Sequence, residues 1–121
     1  MIEVLSGFPE YVVAVRVHDK ASDKDNDNVL IPAIQAAFTR DAKISLYYEL
    51  ATDFDGIDFT AALEDMGVGV AYLSRWSRIA FVGDHQGFRH AIELLRFLMP
   101  CPVKLFDLKS TEAAKAWVSG G

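Results

Sequence analysis

Asp53, Asp55 and Asp58 place three carboxylates in one short stretch, a donor set that suits a weak divalent-cation site or an acidic loop exposed to water. Solvated loop acids are the commoner outcome of such spacing. Asp23-Lys24-Asp25-Asn26-Asp27 opens like a calcium-binding EF-hand loop. Its sixth position is Asn28 where the sharp turn needs glycine, and its twelfth is Ile34 where a bidentate Glu belongs, so it reads instead as a solvated helix start. Two of the three histidines, His85 and His90, stand five residues apart, about 140° around a helix, and do not meet on one face to share a metal. His18 reads as a strand-end residue. Cys101, between Pro100 and Pro102, has no partner evident in sequence and reads as a packed thiol rather than a nucleophile. Gly67-Val68-Gly69 lacks the third glycine and the preceding strand of a dinucleotide fingerprint, and neither a nucleophile elbow nor a phosphate loop occurs. No catalytic constellation, metal site or cofactor is expected, and the chain reads as no enzyme.

Composition narrows the partners. The net charge is −5, and the 12 basic residues are scattered without a run, which argues against nucleic acid and against an anionic membrane surface. A single cysteine allows no internal disulfide and fits a reducing, cytoplasmic setting. The opening residues Met1 to Leu5 lack the basic-then-apolar pattern of a secretory signal, and no transmembrane segment is expected, since about 18 uninterrupted apolar residues occur nowhere.

Those residues are positioned by a chain that alternates between periods of two and 3.6. Met1–Leu5 and the β-branched run Tyr11–Val17 read as strands, paired as an antiparallel hairpin across the Gly-Pro turn chemistry of residues 6–10. Pro32 either sits in the first turn of a late-starting helix or kinks a longer one, and the longer helix, from about Asp23 to Arg40, is the preferred expectation. Lys43–Leu50 reads as a strand, residues 58–76 as a second helix, Ile79–Val82 as a strand and Gln86–Met99 as a third helix. In that third helix Phe88, Ile92, Leu95 and Met99 face inward, while Arg89, Glu93 and Arg96 form a solvated row. Asp84 is expected to cap it. Val103–Phe106 makes the last strand, and Ser110 caps a fourth helix ending near Val118. The expectation is one α/β domain over 1–121: a small mixed, largely parallel five-stranded sheet in the order β-β-α-β-α-β-α-β-α, flanked by four helices.

The second helix carries more apolar surface than packing requires. Phe59, Leu63, Met66, Val70 and Leu73 form one stripe, Val68 and Tyr72 lie nearly opposite, and Trp76 lies to the side. Gly67 and Gly69 weaken its middle by roughly 1 kcal/mol each relative to alanine. Either a loop covers the far face, or the helix covers a cavity or meets another subunit.

In their order, several phrases resemble the SpoIIAA-like family of STAS-type domains: Met1–Leu5, Val12–Arg16, Val29–Ile34, Lys43–Leu50, Asp53–Gly56, Arg78–Ala80, Asp84, Arg89–Ala91, Pro102–Phe106 and Ala116–Val118. The resemblance implies a small mixed sheet with four helices, distantly related to the lipid-carrying CRAL-TRIO domains. The sporulation anti-sigma-factor antagonists of that family carry a phosphorylatable serine at the start of the second helix. Here the corresponding stretch, about Ala51 to Asp58, holds Thr52 and no serine, and its aspartates would repel a phosphate, so that switch is not expected. Two roles follow. The leading one is a non-enzymatic binding domain holding an apolar or lipid-like small molecule under the second and third helices, on Phe54, Phe59, Leu63, Met66, Phe88 and Ile92. The other is a protein-interaction module, homodimeric or paired with a regulatory partner, using Thr52, Asp53, Asp55, Val68, Tyr72 and Trp76.

Overall fold

A computed structural model describes residues 2–18, 29, 31–51, 76–84, 86–98 and 101–120. Five strands form one sheet in the order of the chain: β1 (Ile2–Val4), β2 (Val12–Val17), β3 (Ile44–Leu50), β4 (Trp76–Val82) and β5 (Val103–Phe106). β1 runs antiparallel to β2, and every later neighbour is parallel. The hairpin closes through Gly7, whose φ of 85° suits a residue without a Cβ, and through the Val12 N–H donating to the Pro9 carbonyl. Parallel strands need crossovers, and two of the elements that supply them are described: α1 (Ile31–Arg40) and α2 (Gln86–Leu98). A 3-10 turn (Leu108–Ser110) then leads into α3 (Thr111–Ser119).

Alternation along the strands sorts side chains into two layers. Val13, Val15, Val17, Leu46, Tyr48, Leu50, Ile79, Phe81 and Val103 face α1 and α2 and bury Ile34, Ala37, Phe38 and Ile92 among them. Val12, Ala14, Tyr47, Ala80 and Val82 face α3 and bury Ala114 and Val118. In register, Tyr47 stands between Ala14 and Ala80, two small residues that leave room for its ring. Covered on both faces, β2 and β3 are built from the near-continuous apolar runs that a central parallel strand requires.

Several elements differ from the sequence reading. Three α-helices lie among the described residues. The fourth expected, residues 58–76, lies outside them except for its last residue, and Trp76 is the first residue of β4. Its ring is 6 % exposed and meets Phe38 edge-to-face at 5.3 Å, so it belongs to the core and not to an interaction surface. A strand start fits Trp76 because its aromatic ring packs on the pleated, half-buried surface opposite Ile44. Pro32 is the second residue of α1, where a missing N–H costs no hydrogen bond. The expected stretch from Asp23 to that point lies outside the described residues apart from Val29. Asp84 stands two places ahead of α2, and its Oδ1 accepts the Leu108 N–H at 3.1 Å, tying the exit of β4 to the exit of β5. Ser110 precedes α3 but makes no side-chain cap bond. No helix among the described residues is long and apolar enough to cross a membrane.

Gly83 leaves β4 against Leu50, and a Cβ there would stand 3.2 Å from the Leu50 Cβ, a neighbour fixed by its own backbone. Gly83→Ala is therefore expected to cost about 1–2 kcal/mol in urea unfolding.

Candidate functional site

α3 packs mainly on β3 and β4, and its Ala114 and Val118 also share a core with Val12 and Ala14 of β2. Toward the β1 edge of that sheet face, a cleft of about 320 Å³ forms between the start of α3 and the hairpin. Its floor is set by register: Glu3, Arg16 and Glu49 stand abreast on β1, β2 and β3, all pointing toward the α3 side. The order acid–base–acid across three strands makes opposite charges direct cross-strand neighbours.

Buried Glu49 is held from two sides. Its Oε2 accepts the Arg16 Nε–H at 2.6 Å, and its Oε1 accepts the Tyr47 hydroxyl at 2.5 Å. Arg16 Nη1 lies 3.6 Å from Glu3 Oε1, which also meets His18 Nε2 at 2.7 Å. His18 thus closes a polar chain running from the strand end to the middle of the sheet. Phe8 rests on Tyr47, with ring centroids 4.9 Å apart, and the Lys115 ammonium sits 5.0 Å above Phe8.

Among the described residues, several titratable groups are shifted by these contacts or by burial. The His18 hydrogen bond holds the Glu3 carboxyl below its ordinary range, with Arg16 adding to it. Its contribution to stability is present above the unfolded carboxyl value and is lost as pH falls through the lower folded one. Glu49 raises Arg16 further. Burial, then the bond to Glu49, pushes Tyr47 up, and burial alone pushes up Tyr48 on the opposite face. Burial also raises the Cys101 thiol, which packs against the core at the entry to β5. Among the described residues no group of three or more His, Cys, Asp or Glu could hold a metal ion.

A second surface lies on α2. Gln86, His90, Glu93 and Phe97 share its outer stripe at helical spacing, and all are exposed. Phe97 is 89 % exposed at the lip of a cleft of about 420 Å³ that Glu93 and Arg96 also line. Arg89, expected in the solvated row, instead donates from Nη1 to the Gly83 carbonyl at 3.2 Å.

The residues named from sequence divide as follows. Ile92 is 0 % exposed and packed in the core below α2. Phe54, Phe59, Leu63 and Met66, with Thr52, Asp53, Asp55, Val68 and Tyr72, lie outside the described residues, as does the side chain of Phe88. The ladder of Glu3, Arg16, Tyr47 and Glu49 was not anticipated. Its signal was present: Arg16 and Glu49 each interrupt an otherwise apolar strand, and a charge in such a run needs a partner. Phe97 was equally legible as an aromatic on a polar helical stripe.

A profile of the SpoIIAA-like family matches residues 12–119. No curated protein matches the chain. Among solved structures, an uncharacterised protein from Shewanella loihica PV-4, of the DUF3478 family and with a SpoIIAA-like fold, superposes with a TM-score of 0.63 at 18% identity. That match covers 98% of this chain and 92% of the other.

Proposed function

From the chain's membership of the SpoIIAA-like family, we propose that it is a non-enzymatic binding domain, taking an apolar, lipid-like molecule beside α2. Ligand pockets combine apolar surface with a few polar groups and begin near 300 Å³, a range that includes this cleft. Phe97 is the observation that carries the reading: a large aromatic, 89 % exposed at a cleft of about 420 Å³ that Glu93 and Arg96 also line, so a polar head group would meet one charge of each sign. Since Ile92 is enclosed in the core, Phe97 is the described residue of α2 that offers apolar surface to a ligand.

The non-enzymatic part rests on electrostatics. General acid–base catalysis wants groups whose pKa lies near the working pH. The shifts resolved here go the other way: Glu3 is lowered, while Arg16, Tyr47, Tyr48 and Cys101 are raised. Each group is held more firmly in the charge state it already has at neutral pH. None of them is tuned to pass a proton or to become a thiolate nucleophile.

Native mass spectrometry of the freshly purified protein, beside Phe97→Asp, tests this. The parent is expected to carry extra mass with a lipid-like remainder that leaves on denaturation, and the variant to lack it. Because the side chain is exposed, Phe97→Asp should change stability by no more than about 0.5 kcal/mol. A parent of bare mass overturns the lipid reading. Were that bare parent dimeric and the variant monomeric, Phe97 would instead be a protein-recognition anchor, as in a regulatory module.

A further inference from the structure

The cleft against α3 has a charge arrangement independent of the surface around Phe97. Glu112 and Lys115 are three residues apart on one helix, a spacing at which opposite charges ordinarily pair. Both line the cleft, yet among the described residues neither has a salt-bridge partner. The Lys115 ammonium is drawn away over the Phe8 ring, and Phe8 is itself seated on Tyr47. The ammonium also lies close to Gly7 of the hairpin, where a Cβ would stand in ordinary contact with Nζ at 3.4 Å. A positive and a negative group are thus held apart across one small cavity.

The floor sharpens the pattern. Both Glu49 oxygens are engaged, by Arg16 and by Tyr47, so the floor adds no open carboxylate at its centre. Arg16 uses Nε on Glu49 and turns Nη1 toward Glu3, which leaves the donors of Nη2 without a described partner. Glu3 Oε1 is shared between His18 and Arg16, and Oε2 has no described partner. The cleft therefore offers donors on Lys115 and Arg16, acceptors on Glu112 and Glu3, and the Thr111 hydroxyl at its edge.

We infer that this cleft binds a small zwitterion of the amino-acid type, its carboxylate toward Lys115 and Arg16 and its ammonium toward Glu112 and Glu3. An anion alone would meet the open carboxylates of Glu112 and Glu3. A cation alone would meet the Lys115 ammonium and the Arg16 guanidinium. A molecule bearing both charges satisfies both sets without desolvating an uncompensated charge. About 320 Å³ lies at the small end of ligand cavities and suits one such molecule.

Backbone amide NMR on the full chain is the test, titrating glycine, L-serine and L-glutamine in turn. Acetate and methylammonium serve as the separated halves. Saturable shifts centred on Gly7, Arg16, Glu112 and Lys115 are expected for at least one amino acid, with at least tenfold weaker responses to either half. Lys115→Gln and Glu112→Gln should each weaken binding about tenfold. Both side chains are at least partly exposed, and an unchanged urea midpoint would confirm that the variants remain folded. The inference is overturned if no amino acid produces saturable shifts, if acetate or methylammonium does as well alone, or if both folded variants bind like the parent.

Discussion

Trp76→Ala is expected to lower the stability of the domain by about 3–5 kcal/mol, the range for deleting a large aromatic from a packed core. The side chain is 6 % exposed at the first position of β4, opposite Ile44 and edge-on to Phe38 of α1. The aromatic pair adds roughly 0.5–1.5 kcal/mol beyond area burial. It also joins the first residue of β4 to the helix that crosses from β2 to β3, so the loss would be felt between elements distant in sequence. Urea unfolding measures the cost, and light scattering on the same samples discriminates between two roles. A core tryptophan gives a destabilised protein whose folded species keeps the parent's mass. Unchanged stability with a lowered mass would restore Trp76 to an interaction surface and remove it from the core.

How far the fold could be read in advance depended on where two kinds of signal agreed. β2, β3 and β5 were legible within a residue or two because short runs rich in β-branched, aromatic and other apolar residues were bounded by turn residues, as at Val12–Val17 and Val103–Phe106. α2 was legible because its period and length left no competing assignment. The start of β4 was not. Trp76 continued the helical spacing of the residues before it, and a single aromatic fits a helix stripe and a strand equally well in sequence. Pairing with Ile44 and contact with Phe38 decide the matter, and neither has a local signature.

The site was harder to read for a related reason. Glu3, Arg16 and Glu49 lie on three separate strands and become neighbours only through the register of the sheet. Sequence spacing showed two charges in apolar runs but not that they faced each other, because pairing partners on non-adjacent segments are set by tertiary structure. Sequence motifs are built from groups close along the chain, whereas the polar groups of this domain are assembled laterally, across the sheet. Phe97 differs: its exposure followed from helical spacing with Gln86, His90 and Glu93 and needed no tertiary information.

The ladder itself should respond strongly to the loss of its central member. Glu49→Ala is expected to cost about 2–4 kcal/mol. Breaking a buried ion pair costs roughly 3–5 kcal/mol when one partner is left behind, and the 36% exposure of Arg16 lets water recover part of that. Replacing both partners should behave differently. Arg16→Met with Glu49→Leu removes the stranded charge and adds apolar surface on the α3 face, so the double variant is expected to recover most of the loss. Urea unfolding of the two single variants and the double gives the coupling between the sites directly. Tyr47 provides a second readout. Its hydroxyl is raised first by burial and then by its bond to Glu49, so Glu49→Ala removes that bond and the Glu49 charge while burial remains. The folded value should fall toward the ordinary tyrosine value of about 10, and tyrosinate absorbance should rise at lower pH than in the parent. The sign is fixed: a raised tyrosine stabilises the fold below the unfolded value and loses that contribution as pH rises through the folded one. The parent should therefore gain relative to Glu49→Ala on the neutral side of that window and converge with it above. Single variants whose costs simply add, with an unshifted tyrosine titration, would show that Arg16, Glu49 and Tyr47 act separately and that register alone, not charge, sets this half of the sheet.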